Sequence, residues 1–110
     1  MSEILRVLLV EDNPADADLV REALPKTGPP AFRLEVVTRL ADALARLGDG
    51  GIDLVLLDLN LPDGQGLETF HKLHHAVPAL PVVVLTGNMD QELAVETVKK
   101  GAQDYLVKGR

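Results

Sequence analysis

The stretch IDLVLLDL, Ile52 to Leu59, is aliphatic at both odd and even positions and is bounded by the turn-forming GDGG before it and NLPDG after it. A run of this length with both alternating sets apolar reads as a strand covered on both faces, as in the middle of a parallel sheet. RVLLV (Arg6 to Val10) and PVVVLT (Pro81 to Thr86) read the same way. FRLEVV instead alternates Phe32, Leu34 and Val36 with Arg33 and Glu35, which suits a strand near a sheet edge. A short fifth run, DYLV, ends at Val107.

Helical patterns lie between these runs. After Asp12-Asn13, which can cap a helix, Pro14 fits the first helical position. Leu19, Val20, Ala23 and Leu24 are then expected on one buried face before Pro25 stops the helix. Leu40, Leu44 and Leu47 form a second stripe, and Leu67, Phe70, Leu73 and Val77 a third. A weaker fourth, Ala94, Val95 and Val98, is closed by Gly101. Strict alternation of strand and helix predicts an α/β fold: an open, five-stranded, doubly wound parallel sheet with right-handed crossovers and helices on both faces. Ligands of such sheets bind outside the carboxyl ends of the strands.

Composition is consistent with this. The chain has 110 residues, enough for one domain, with 46% apolar and 25% charged residues, so a disordered chain is excluded. It contains no cysteine, which removes disulfide scaffolds and thiolate metal sites and points to a reducing cytoplasmic setting. No apolar run approaches the roughly 20 residues of a membrane span, and no secretory leader is evident. Seventeen acidic against 11 scattered basic residues give a formal net charge of −6, which disfavours direct nucleic-acid binding.

The residues that close the apolar runs gather on one rim: Glu11 and Asp12, Asp58, Thr86 and Lys108. Each alone has a plain explanation as a cap, a turn former or a solvated charge. Together they are harder to dismiss, because Asp58 stands inside LVLLDLNL, a run that otherwise calls for full burial, and burying an unpaired charge is costly. Three carboxylates on adjacent strand ends repel one another by about 3 kcal/mol per pair at about 5 Å and an effective dielectric of about 20. Lys108 supplies one positive charge. A hard divalent cation such as Mg²⁺, favoured by all-oxygen donors, would supply the rest.

In order and spacing, VLLVEDN, LLDLNLPDGQG, VVVLTG and DYLVKG resemble the receiver domain of two-component response regulators over essentially the whole chain. The resemblance implies the flavodoxin-like strand order 2-1-3-4-5 and assigns roles by position. Asp58 matches the phosphoacceptor that takes a phosphoryl group from a phosphohistidine. Asp12 and Glu11 match the acids that hold Mg²⁺, directly and through water, and Asn60 the residue whose backbone carbonyl completes the set. Lys108 matches the lysine that pairs with the aspartate and then with the phosphoryl group. Thr86 matches the hydroxyl that turns toward that group, and Tyr105 the aromatic residue that follows it. Implied partners are a histidine kinase or histidine phosphotransfer protein and a downstream output domain or protein, with dimerisation through the fourth-helix and fifth-strand face. The chain would act as a phosphorelay switch that catalyses its own phosphorylation and dephosphorylation, and not as a turnover enzyme.

Proline, usual in this family after the lysine and often in a cis peptide, is here replaced by Gly109, so the Lys108–Gly109 cis bond is in question. Competing readings fit less well. A haloacid dehalogenase would need a second aspartate where Asn60 stands, and a flavin binder would need a phosphate loop where EDNPADAD is acidic. A receiver-like interaction module without phosphorylation is the main alternative. His71, His74 and His75, at i, i+3 and i+4, could in principle bind a metal, but a solvated helix face is the simpler explanation. Gly64 and Gly66 suit tight backbone geometry. Five strand-and-helix units need roughly 125 residues. Residues 1–110 are therefore expected to be a receiver lacking its fifth helix, part of a longer multidomain protein, or else a chain whose open surface a neighbouring copy covers.

Overall fold

A computed structural model describes residues 3–87 and 90–108. In chain order the elements are β1 (Ile4–Val10), α1 (Pro14–Ala23), β2 (Ala31–Val37), α2 (Leu40–Gly48), β3 (Leu54–Asp58), β4 (Asn60–Leu61), β5 (Gly64–Gln65), α3 (Leu67–Ala76), β6 (Val82–Thr86), α4 (Gln91–Lys99) and β7 (Asp104–Val107). Five of the strands form one sheet in the order β2-β1-β3-β6-β7. Every pairing in it is parallel. Counting sheet strands only, this is the expected 2-1-3-4-5 order, with four helices among the described residues.

Alternation along the central strands decides what each face buries. Leu8 and Val10 of β1, Val55 and Leu57 of β3, and Val82 and Val84 of β6 pack with Leu40, Ala43 and Leu47 of α2, Phe70 and Leu73 of α3, and Ala94 of α4. Val7 and Leu9, Leu56 and Leu85 point to the other face, where Ala17 of α1 meets them. β2 alternates exposed and half-buried residues as an edge strand should, and β7 closes the other edge.

Two helical stripes differ from expectation. On α1, Leu19 is 50% exposed and Ala23 is exposed, while Val20 and Leu24 are only half-buried. The cause is tertiary: the α1 face carries one helix among the described residues. Leu19, Val20 and Leu24 line an apolar groove of about 470 Å³ together with Leu56, Leu85 and Leu106. On α4, Val95 is exposed and the buried set is Ala94 with Thr97. Thr97 tolerates burial because its hydroxyl donates to the Ala94 carbonyl at 2.6 Å.

A hairpin that was not anticipated follows β3. Asn60 and Leu61 pair antiparallel with Gln65 and Gly64. Gly66, at φ +71°, makes the turn into α3, a left-handed conformation that glycine adopts most readily. Gly64 is required for a different reason: a Cβ there would lie 2.9 Å from Thr69 Oγ1 and 3.2 Å from Leu40 Cδ2. In the turn between β4 and β5, Asp63 reaches back across 23 residues of chain. Its Oδ1 accepts from the Leu40 N–H at 2.7 Å and its Oδ2 from the Ala41 N–H at 2.9 Å. The α2 N-cap residue, Arg39, makes no side-chain capping bond, so Asp63 supplies the cap and ties the hairpin to α2. No helix among the described residues is long and apolar enough to cross a membrane.

Candidate functional site

Parallel strands bring their carboxyl ends to one rim, and the polar residues that close them converge there. Glu11 follows β1, Asp58 ends β3, Thr86 ends β6 and Lys108 follows β7. The parallel register places Asp58 beside Leu85 and Thr86 beside Val107, so Thr86 closes the neighbouring strand and Lys108 the strand beyond it. Lys108 is tied to this rim by its own backbone, whose N–H donates to the Thr86 carbonyl at 2.6 Å.

Glu11, Asp12 and Asp58 each offer an oxygen, and these lie within 4.8 Å of one another, the only group of three such ligand atoms among the described residues. Glu11 and Asp58 are buried, while Asp12 is exposed at the mouth of an open cleft of about 690 Å³. The buried acids are held in place by the backbone. Asp58 Oδ1 accepts from the Asn60 N–H at 3.0 Å, and Glu11 Oε2 from the Asn13 N–H at 3.2 Å. Asn13 in turn caps α1, its Oδ1 accepting from the Asp16 N–H at 3.1 Å, with Pro14 at the first helical position.

Lys108 Nζ reaches into the acids. It lies 3.1 Å from Glu11 Oε1, 3.3 Å from Asp58 Oδ2 and 2.9 Å from Asp16 Oδ2. Electrostatics follow from this crowding. Burial, then the Asp58 carboxylate beside it, push Glu11 up from 4.5 to about 7, even though the Asn13 N–H and Lys108 favour its charged form. Lys108 moves the other way. Burial pulls it down, but hydrogen bonds to Asp16 and Glu11 and the charge of Asp58 outweigh this and hold it above the usual lysine range.

Positions singled out in the sequence therefore divide. Glu11, Asp58 and Lys108 are in direct contact, and Asp12 joins the two acids. Asn60 touches Asp58 through its N–H and lines the cleft. Thr86 is buried in the cleft wall, but its hydroxyl donates to the Gly87 carbonyl at 3.1 Å rather than to an acid. Tyr105 is half-buried against the core that includes Ala94 and Ala102 and does not line the cleft. The Lys108–Gly109 peptide lies outside the described residues. The three histidines do not form a ligand group; His74 instead stacks on Phe70, centroids 5.1 Å apart and 13° from parallel.

Asp16 was missed. An acid in the first turn of a helix is explained by the helix dipole, which left no reason in the sequence to look for a second partner.

A cluster of oxygen donors with one lysine can bind a hard cation, present a carboxylate nucleophile and neutralise an incoming phosphoryl group. A family model described as the response regulator receiver domain matches residues 7–109. The chain is 38% identical over 104 residues to the swarming motility regulation protein RssB of Serratia marcescens, covering 94% of this chain and 46% of that protein. Among solved structures, the Mn²⁺-bound form of response regulator Rcp1 superposes with a TM-score of 0.80 at 33% identity, covering 96% of this chain and 82% of that one. The phosphorylated cyanobacterial phytochrome response regulator RcpA gives a TM-score of 0.80 at 30% identity, with 96% and 81% covered. The chain spans less than half the length of RssB.

Proposed function

The chain belongs to the response regulator receiver domain family, and from that premise we propose that it is a phosphoacceptor switch in which Asp58 is the nucleophile. The observation that carries this reading is the contact set at Asp58: a buried carboxylate held by the Asn60 N–H, with two further acids and Lys108 around it.

Glu11, Asp12, Asp58 and the Asn60 carbonyl would hold Mg²⁺, which fits an all-oxygen donor set; Rcp1 was solved with Mn²⁺. The ion supplies charge neutralisation for the phosphoryl oxygens. The chain's own residues do the rest. The Asn60 N–H fixes one Asp58 oxygen, leaving the other, facing Lys108, to attack phosphorus. The phosphorus–nitrogen bond of a kinase or phosphotransfer-protein phosphohistidine breaks, the imidazole leaves, and Asp58 becomes an acyl phosphate. Lys108 follows the new negative charge. Thr86 needs only to exchange its bond to the Gly87 carbonyl for one to a phosphoryl oxygen, which draws the β6 end inward and biases the α4–β7 surface, Tyr105 included. That surface would then meet an output domain, a downstream protein or a second copy. Attack of water on the acyl phosphate resets the switch, so no free metabolite is turned over. The setting is cytoplasmic, with no direct contact to nucleic acid.

By the same reading, the apolar groove beside α1 is the seat of a fifth helix supplied by a longer protein of which residues 1–110 are the receiver. The edge of the groove is left with Leu19 and Leu106 about half exposed. A version carrying the sequence that follows should melt higher and bind less of an apolar dye; unchanged dye binding would count against this.

The test of the switch is incubation of the folded protein with acetyl phosphate, with Mg²⁺ or with a chelator, followed by intact mass. A gain of one phosphoryl group with Mg²⁺ alone is expected. No gain in either would leave the interaction module as the better reading.

A further inference from the structure

Lys108 divides its ammonium among three carboxylates, and its shortest contact goes to the one outside the acid cluster. Nζ lies 2.9 Å from Asp16 Oδ2, against 3.1 Å from Glu11 Oε1 and 3.3 Å from Asp58 Oδ2. An ammonium has three N–H donors, and three acceptors occupy them. Asp16 is placed for this by the start of α1, where its backbone N–H is tied to the Asn13 cap. It stands at the border between the polar cleft and the apolar groove, lining both, as does Lys108.

We propose that Asp16 is a positioning residue for Lys108, which holds the ammonium toward α1 and competes with Asp58, and with a phosphoryl group on Asp58, for its donors. The proposal rests on the reading of Asp58 as phosphoacceptor. Two consequences follow from the competition. While Lys108 is partly engaged by Asp16, the carboxylates of Glu11, Asp12 and Asp58 keep more net negative charge for a cation. Once Asp58 is phosphorylated, Asp16 limits how fully Lys108 can pair with the phosphoryl oxygens, which shortens the life of the acyl phosphate.

Asp16→Asn keeps the size of the side chain and removes its charge. Both ends of the Lys108–Asp16 pair are partly exposed, 22% and 29%, so the effect is that of a screened contact: roughly a three- to tenfold weaker Mg²⁺ midpoint and a similarly longer acyl-phosphate lifetime. Asp18→Asn is the control. It removes the same formal charge two residues along α1 from a residue that is exposed and paired with Arg21. Asp16→Glu, which can still reach Lys108, should restore both values toward wild type. A purely structural role at the helix start would lower the melting temperature of Asp16→Asn without moving the Mg²⁺ midpoint. If the amide unsettles α1, Asp16→Ser serves instead.

The measurements are Mg²⁺ titration by calorimetry on the unphosphorylated chain and decay of the phosphorylated mass after removal of acetyl phosphate. Wild-type protein that is phosphorylated on Asp58, with Asp16→Asn unchanged in both readouts or matched by Asp18→Asn, overturns the role of Asp16 alone. Wild-type protein that takes no phosphoryl group overturns the underlying reading and this role together.

Discussion

Replacing Asp58 with Asn should stabilise the metal-free protein, although the residue removed touches three neighbours. Its carboxylate is one of three whose oxygens lie within 4.8 Å of one another. Glu11 and Asp58 are 1% and 5% exposed, so water screens this pair little, and at an effective dielectric of about 20 its repulsion is about 3 kcal/mol. Asp12 is exposed and adds less. Against this stands the charge-assisted contact with Lys108, about 1.5 kcal/mol, at 3.3 Å the longest of the three that Lys108 makes. The amide oxygen still accepts from the Asn60 N–H. The net gain is about 1 to 2 kcal/mol, or roughly 5 to 10 °C in melting temperature. The assay is thermal unfolding followed by circular dichroism at about pH 8, where Glu11, which titrates at about 7, is largely ionised and the repulsion fully present. In a chelator Asp58→Asn should melt above wild type. With saturating Mg²⁺ the gap should close or reverse, because the cation stabilises the wild-type acid set more. A variant that melts below wild type in chelator, or that Mg²⁺ stabilises as much as wild type, would refute the charge-crowding account of this cleft.

Glu11 makes the site sensitive to pH. Because its proton must leave before an ion binds, the apparent Mg²⁺ affinity should climb from about pH 6 and level off by about pH 8; a flat profile by calorimetry would contradict this. The sign for metal-free stability is opposite. The folded state holds this proton up to about 7 rather than 4.5, so the Glu11 contribution falls as pH rises through that window. Asp63→Ala removes the only side-chain cap found at α2 and should lower the melting temperature by several degrees near neutral pH. The Leu40 and Ala41 N–H groups hold the Asp63 carboxyl below its ordinary 3.8, so wild type should lose this advantage only as pH falls below that value. Gly101→Ala places a methyl 2.9 Å from His74 Nε2 at φ +127° and should cost about 1 to 3 kcal/mol in chemical denaturation. Adding His74→Ala should recover only the clash, because the backbone conformation remains unfavourable.

How far the sequence could be read depends on whether a residue's partner is local. The central strands are apolar but for Arg6, Asp58 and Thr86, and the caps and prolines that bound α1 act within a few residues, so the alternating architecture was within reach, while the strand order came with the family resemblance. The rim acids were legible because Asp58 violates its strand. What escaped was set across the chain. Asp63 caps a helix 23 residues earlier, and Asp16 meets a lysine 92 residues later. Neither position breaks a local rule, so neither stood out. The exposure of Leu19 and of Val95 was equally invisible, because a helical stripe specifies a face and not what lies opposite it. Thr97 shows the converse: a polar residue joined the core by bonding within its own helix turn.

The central claim is that Asp58 carries the phosphoryl group. Its most direct test is reduction with borohydride after phosphorylation by acetyl phosphate and Mg²⁺, which converts an aspartyl phosphate to homoserine, followed by peptide mass mapping. Homoserine is predicted at position 58 and nowhere else, and none should form in chelator. An unmodified Asp58 in folded, Mg²⁺-loaded protein, homoserine at Asp12 or Asp16 instead, or 5-hydroxynorvaline at Glu11, would contradict the account.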